Sequence, residues 1–462
     1  MSAHRPPPRH PRLLGRLAAG LLLLAAAVPG GAAEAPAPEI ARWELGGGAD
    51  AYFAERPTLP IVDIQLVLDA GSARDGEHPG LAELVARTLD EGTAGLGAGE
   101  LARRLEDTGA RLSTAVGRDY ARVHLRSLAR PAALDEAVAL LERVLEAPAF
   151  AGEAVRRERE GQLQEIRAER QSAAAVAERA LFRAMYGEHP YASPPLGTEA
   201  AVAELGPERV AAFYERYYVA ANASVAVVGD IEPERARALA ERLTGALAPG
   251  EPAAALPPAP ERPARREVHI DFPAAQTALY MGQPAIARGE VALEYPLRVA
   301  DQALGGAGMV SRLFRTMREE RGLSYATGSR LHVLRAQGPW LVYSQVKAER
   351  APEARRVLRG EIERLDAEGL DGQGVRKAVR QLTGAFPLAL ASNAALSREL
   401  ASMAFYDLPT SHLARYTPRM EAVEPADVRQ ALAARLDPQR MATVVVGPDA
   451  EQPSEGTEAA AQ

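Results

Sequence analysis

A segment from the middle of this chain returns near its end. ASVAVVGD (Ala223–Asp230) is echoed by ATVVVGPD (Ala442–Asp449), and LGPERVAAF (Leu205–Phe213) by VEPADVRQAL (Val423–Leu432). VRRERE (Val155–Glu160) is answered by VRKAVR (Val375–Arg380), and a long helical stretch in each half runs on to a tyrosine, Tyr186 and Tyr406. The pairs keep an offset of roughly 220 residues, which a duplicated domain explains far better than chance does. At 462 residues the chain is also too long for one hydrophobic core. The repeat divides it into a leader (1–33), a first domain (34–250), a linker (251–265), a second domain (266–450) and a tail (451–462). The linker is rich in Pro and Ala without apolar periodicity, and the tail is polar, so neither predicts a folded element. The Pro-rich joint predicts halves that fold separately.

Within the first half, Ala41–Glu55 reads as two strands around Gly46–Gly48, and Ile61–Leu68 as a buried central strand. Ala98–Thr108 predicts a helix stopped at Gly109. Arg111–Val116 and Asp119–Ser127 predict a hairpin, Ala132–Leu145 an amphipathic helix, and Gly152–Tyr186 one long helix. Strands mixed with helices in each half give an α+β class. His189, alone before Pro190, reads as a structural turn residue.

Residues 1–33 carry an address. Arg5, Arg9, Arg12 and Arg16 precede the apolar run Leu17–Val28, and small residues lead to Ala33. That is the pattern of a secretory signal peptide cleaved near Ala33, with a run too short to span a bilayer. A periplasmic or secreted protein is expected, free of the membrane in its mature form; a retained N-terminal anchor is the alternative. No cysteine is present, so there is no disulfide framework and no thiol nucleophile. Removing the leader leaves 50 basic against 61 acidic side chains, a net charge of −11. Nucleic acid and anionic lipid are poor partners for such a surface.

The chemistry is expected on Gly80–Thr93, GLAELVARTLDEGT, where Leu81, Leu84, Val85, Thr88 and Leu89 recur at helical spacing. Gly92 stands where a left-handed helix cap is expected. This frame resembles the inverted zincins of the pitrilysin/insulinase family, whose helix carries H-x-x-E-H ahead of Gly-Thr. Here Glu83 and Arg87 stand at the two histidine positions and Ala86 at the base position. Arg87 cannot ligate a cation and Ala86 cannot take a proton. The resemblance therefore implies a degenerate site, with no metal and no cofactor held by this chain. The family's distal carboxylates fall on Glu158 and Glu165, and Arg87 is placed to neutralise Glu165. Taken alone, those two glutamates fit a solvated, charge-rich helix face equally well.

The strongest block of the resemblance is LGGAGMVSRLFRTMREERGLSYATGS (Leu304–Ser329). It has a glycine-containing turn (Gly305, Gly306, Gly308), then Ser311, Arg312 and Leu313 at a helix start, then Arg318 seven residues before Tyr325. In the family this Arg/Tyr pair contacts substrate backbone beside a partner's zinc, and the glycine turn contributes to the substrate-binding loop. A guanidinium and a phenol can both donate to a peptide carbonyl. The glycine run is not a phosphate loop, because the Lys-Ser/Thr ending is missing. There is no Gly-x-Ser-x-Gly elbow and no pair of histidines at ligand spacing.

Together these features are similar to the non-catalytic subunits of processing-peptidase-like heterodimers. The fold implied is two homologous domains, each a mostly antiparallel sheet packed against helices. The function implied is to bind peptide and supply Arg318 and Tyr325 to a partner that carries H-x-x-E-H and zinc. An inactive structural or peptide-binding member of the family is the alternative.

Overall fold

The computed structural model describes residues 38–260 and 266–448. The leader with its cleavage position, the tail and residues 261–265 of the linker lie outside the described residues.

Two sheets carry the fold. The first has six strands: β1 (Ala41–Glu44), β2 (Asp50–Glu55), β3 (Ile61–Leu68), β6 (Arg111–Val116), β7 (Ala121–Leu128) and β8 (Ala223–Gly229). Between β3 and β6 lies a two-residue ribbon, β4 (Gly92–Thr93) with β5 (Leu96–Gly97). The spatial order of the large sheet is β1-β2-β8-β3-β7-β6, so Ile61–Leu68 is central, as its apolar pattern implies. The second sheet runs β11-β12-β10-β13-β9. Its strands are β9 (Glu267–Asp271), β10 (Gln276–Ile286), β11 (Ser324–Leu331), β12 (Gly338–Lys347) and β13 (Ala442–Gly447). Among the described strands only β2/β8 and β9/β13 pair in parallel, at equivalent places in the two sheets. The duplicated, mostly antiparallel α+β plan is therefore present.

One face of each sheet packs on helices of its own half. In the first half these are α1 (Leu81–Thr88), α2 (Ala98–Thr108), α3 (Pro131–Glu146) and α4 (Gly152–Glu169). The other face is covered from across the repeat. Helix α5 (Ala173–Tyr186) of the first half lies on β10 and β13, burying Leu181, Phe182, Met185 and Tyr186. Helix Asn393–Phe405 of the second half lies on β2, β3 and β8, burying Leu396, Leu400, Met403 and Phe405. Each such side chain is worth on the order of 1.5–3 kcal/mol when buried. Approach is close: a Cβ on Gly282 of β10 would stand 2.9 Å from Met185 Sδ.

This exchange corrects two expectations. Gly152–Tyr186 is not one helix; it breaks at residues 170–172, where the Ser172 side chain accepts from Ala175 N and starts α5. Ser392 does the same for Ala395 N before Asn393–Phe405, at the equivalent place of the repeat. The separately folding halves are also corrected, because each sheet would lose one covering helix if the halves were cut apart. The described residues form one compact unit.

Polar contacts finish the interlock. Tyr186, ending α5, donates to Gln337 O in the β11–β12 turn at 2.9 Å. Tyr406, ending the other exchanged helix, donates to Asp119 Oδ2 in the β6–β7 turn at 2.7 Å. Asp119 is buried and also accepts from the Tyr191 hydroxyl and, at 2.8 Å, from Arg335 N. Residues 251–260 form no helix or strand but are tied down: Ala253 N donates to Asn222 Oδ1 (2.7 Å) and Arg74 Nη1 to Ala254 O (2.6 Å). His189 belongs to this seam as a structural residue. Its Nδ1 accepts from Tyr191 N at 3.1 Å and its Nε2 donates to Pro257 O at 2.9 Å.

Candidate functional site

The helix at the degenerate position, α1, is anchored at its N-terminus by a residue six positions upstream. Asp75 accepts from Gly80 N (2.7 Å) and Ala82 N (2.8 Å), satisfying donors that a first helical turn leaves open. Burial raises the Asp75 carboxyl above the usual range, and the two amide donors pull it back. Gly80 has φ 95°, and a Cβ there would meet Leu196 O at 2.7 Å, so the turn into the helix requires glycine. Gly92 is not the helix cap: α1 ends at Thr88, and Gly92, φ 114°, instead opens the short β4/β5 ribbon.

On the exposed side of α1, Arg87 joins both carboxylates. Its Nε donates to Glu83 Oε1 at 2.7 Å, one turn back. Its Nη1 and Nη2 donate to Glu165 Oε1 and Oε2 of α4 at 3.1 and 2.6 Å. The forked, two-point contact to Glu165 is the geometry a guanidinium prefers with a carboxylate. Burial raises the Glu83 carboxyl above its ordinary range; Arg87 opposes that rise and Glu165 adds to it. At Arg87 burial works the other way, but two carboxylates outweigh it and the guanidinium is held more basic. The two directions agree once counted: Glu83 has one opposite charge close by, whereas Arg87 has two. Ala86 is buried in the helix and offers no polar atom. Glu158 stays outside the group, half-buried on α4 with Arg157 Nε 3.4 Å from it.

These residues do not fit zinc. A cation at the histidine positions would meet the Arg87 guanidinium, and no base faces the spot where water would be activated. Among the described residues no three His, Cys, Asp or Glu gather where they could hold a metal ion.

The second-half block is built differently. Ser311 starts the helical turn Arg312–Phe314, its hydroxyl accepting from Phe314 N (3.3 Å) and donating to Gly308 O (2.7 Å). π-helical segments flank it, Gln302–Gly306 before and Arg315–Glu320 after, a widened backbone that recurs at functional sites. Gly305 is required by contact, since a Cβ there would lie 2.2 Å from Ser329 N. Gly306 packs near Asp301, and Gly308 (φ 56°) turns the chain toward the exposed Met309 and Val310.

Arg318 then leaves the π-helical segment and Tyr325 leaves β11. The guanidinium carbon sits 4.4 Å from the Tyr325 ring centroid and 5.0 Å from that of Phe314. Tyr325 is 77% exposed, far outside the half-buried state expected of a strand tyrosine. Among the described residues Arg318 has no carboxylate at ion-pair distance, so its donors are free to serve a ligand.

Residues 52–199 match the family description "Insulinase (Peptidase family M16)", and residues 204–382 match "Peptidase M16 inactive domain". A solved peptidase M16 inactive domain from Pseudomonas fluorescens superposes with a TM-score of 0.85 at 30% identity, covering 89% of this chain and 98% of that one. The chain belongs to the M16 (insulinase/pitrilysin) peptidase family. An uncharacterized zinc protease of Streptomyces coelicolor is 27% identical to this M16 chain over 425 residues, 88% of this chain and 90% of that relative. A protease from Helicobacter pylori shares the M16 fold at a TM-score of 0.80 with 18% identity, covering 89% of this chain and 100% of that one.

Two residues, one anchoring α1 and one holding the seam between the halves, were not visible in the sequence. Asp75 precedes its helix by more than the one position a capping search scans. Asp119 follows an arginine in a turn, and only Tyr406, already marked by the repeat, pointed toward it.

Proposed function

We propose that this chain is a non-catalytic, substrate-binding subunit of a heterodimeric zinc metallopeptidase. Its partner is an M16-family subunit carrying H-x-x-E-H, which holds the zinc. This chain contributes one wall of a peptide-binding chamber, the loop Gly305–Ser311, and the donors Arg318 and Tyr325. The observation that carries the reading is the stacked, outward-facing Arg318–Tyr325 pair, whose donors have no acidic partner of their own. The forked Arg87–Glu165 contact supports the complementary half, because a helix closed by an ion pair leaves the chemistry to another chain. Both donors suit a peptide carbonyl and the oxyanion it becomes. The leader sequence supports a periplasmic or secreted place of work, with the mature chain free of the membrane.

The test is reconstitution. The mature chain and an H-x-x-E-H subunit from the same source are purified separately and mixed. Association with peptide cleavage by the mixture alone is the expected result. A partner that cleaves equally well without this chain overturns the proposal and leaves a structural subunit as the account.

A further inference from the structure

The exchanged helix Asn393–Phe405 covers β2, β8 and β3 but not the far side of the first sheet. There the edge strand β6 presents Arg111, Ser113 and Ala115, all exposed, and β7 presents Arg122, His124 and Arg126 on the same face. The register pairs Arg111 with Arg126, Ser113 with His124, and Ala115 with Arg122. Arg398, exposed on the exchanged helix, borders this lane and adds a like charge next to Arg122.

Negative charge balances only part of the group. Asp63, fully buried in β3, is committed to Arg126 (3.0 and 3.1 Å) and His124 (2.7 Å), which holds both side chains in place. Glu399, next to Arg398, feels Arg288 and Arg298 of the second half more strongly than it feels Arg398. Among the described residues Arg111, Arg122 and Arg398 have no carboxylate at ion-pair distance. Burial lowers the basicity of Arg122, and Arg398 lowers it further. The chain as a whole carries −7, so a cationic lane is not a by-product of basic composition.

We propose that this lane binds the acidic side chains of an extended peptide. Arg122 and Arg126 lie four residues apart on one strand, about 13 Å at strand rise, with His124 midway. A peptide extended along β7 turns every second side chain to the same side, so carboxylates four residues apart meet Arg122 at one end of the lane and Arg111, opposite Arg126, at the other. Guanidinium groups bind carboxylates in a planar, forked manner, which favours acidic over merely polar peptides. The acidic chain as a whole disfavours a nucleic-acid ligand. This inference deepens the substrate-binding reading by naming a substrate class. It is measured on this chain without a partner, so its failure leaves the partner role standing.

The experiment is fluorescence anisotropy on the mature chain with a labelled peptide bearing Glu at alternate positions and a twin bearing Gln. At low salt the Glu peptide is expected to bind roughly tenfold tighter. The preference should vanish in Arg122→Gln/Arg398→Gln, with no loss of thermal stability. Arg111→Gln, at an exposed edge position, should weaken it by itself, which keeps the test decisive if the double variant misfolds. Equal affinity for the two peptides overturns the proposal, as does a preference that survives these variants. An oligonucleotide of equal charge binding as tightly as the Glu peptide would also overturn it, marking a general polyanion surface.

Discussion

The two halves keep the same plan, yet their candidate regions have moved in opposite directions. On α1 the polar residues satisfy one another: Arg87 bridges Glu83 and Glu165, and nothing there is left to act on a ligand. Within Leu304–Ser329 one pair stands apart: Tyr325 is exposed and Arg318 is stacked on its ring, while Ser311, Ser324 and Ser329 are buried. A side chain that serves only stability tends to find a partner inside its own chain. In the proposed function, the closed region accordingly has a structural role and the Arg318–Tyr325 pair contacts the ligand.

The sharpest way to break this comparison is to remove the open region's donors. In the reconstituted pair, Arg318→Ala and Tyr325→Phe are each expected to lower turnover by roughly 10²–10³-fold, as loss of an oxyanion donor does elsewhere. The double variant should fall less than the product of the two if both serve one oxygen. Melting temperature should hold, because neither side chain belongs to a core cluster. Unchanged cleavage rates in both single variants would remove the ligand role.

A second test concerns what holds the two regions in one body. Asp119→Ala leaves the Tyr191 and Tyr406 hydroxyls and Arg335 N without their acceptor. A loss of about 3 kcal/mol is expected from several stranded donors, measured by denaturant titration. It should appear in a single transition, because each half covers the other's sheet. Two transitions would show halves that unfold independently and contradict the interlock.

Much of this was legible in advance, and for identifiable reasons. The repeat, the central strand Ile61–Leu68 and the helix Ala98–Thr108 with its stop at Gly109 follow from local periodicity, which the fold obeys. The Arg87–Glu165 pair was legible because the family frame fixes which two helices meet. The break at Ser172 was hidden, since the charged and Ala-rich residues on either side are both good helix formers. Exchange of α5 and Asn393–Phe405 could not be read at all, because an apolar helix face does not say which sheet will cover it. Arg122 and Arg398 likewise lie far apart in sequence and meet only through that exchange.

A smaller effect is expected inside the closed region. In Arg87→Met the Glu83 carboxylate stays largely buried without its counter-charge, costing roughly 1–2 kcal/mol near neutral pH. The sign with pH follows from the direction of the shift. The Glu83 carboxyl already titrates above its ordinary value in the folded chain, so its contribution is full when protonated and is lost as pH rises through the folded value. Removing Arg87 widens that gap. The deficit of the variant should therefore be greater at pH 7.5 than at pH 4.5, by thermal melts at both. A deficit independent of pH would mean that Arg87 stabilises through packing alone.

Metal content tests the closed region most directly. The chain without residues 1–33, purified, incubated with zinc and dialysed, is assayed for bound metal beside Glu83→His/Ala86→Glu/Arg87→His, which restores the family's ligands opposite Glu165. The account predicts well below one zinc per chain in the natural protein and a clear gain in the triple variant. One tightly held zinc per natural chain would contradict it.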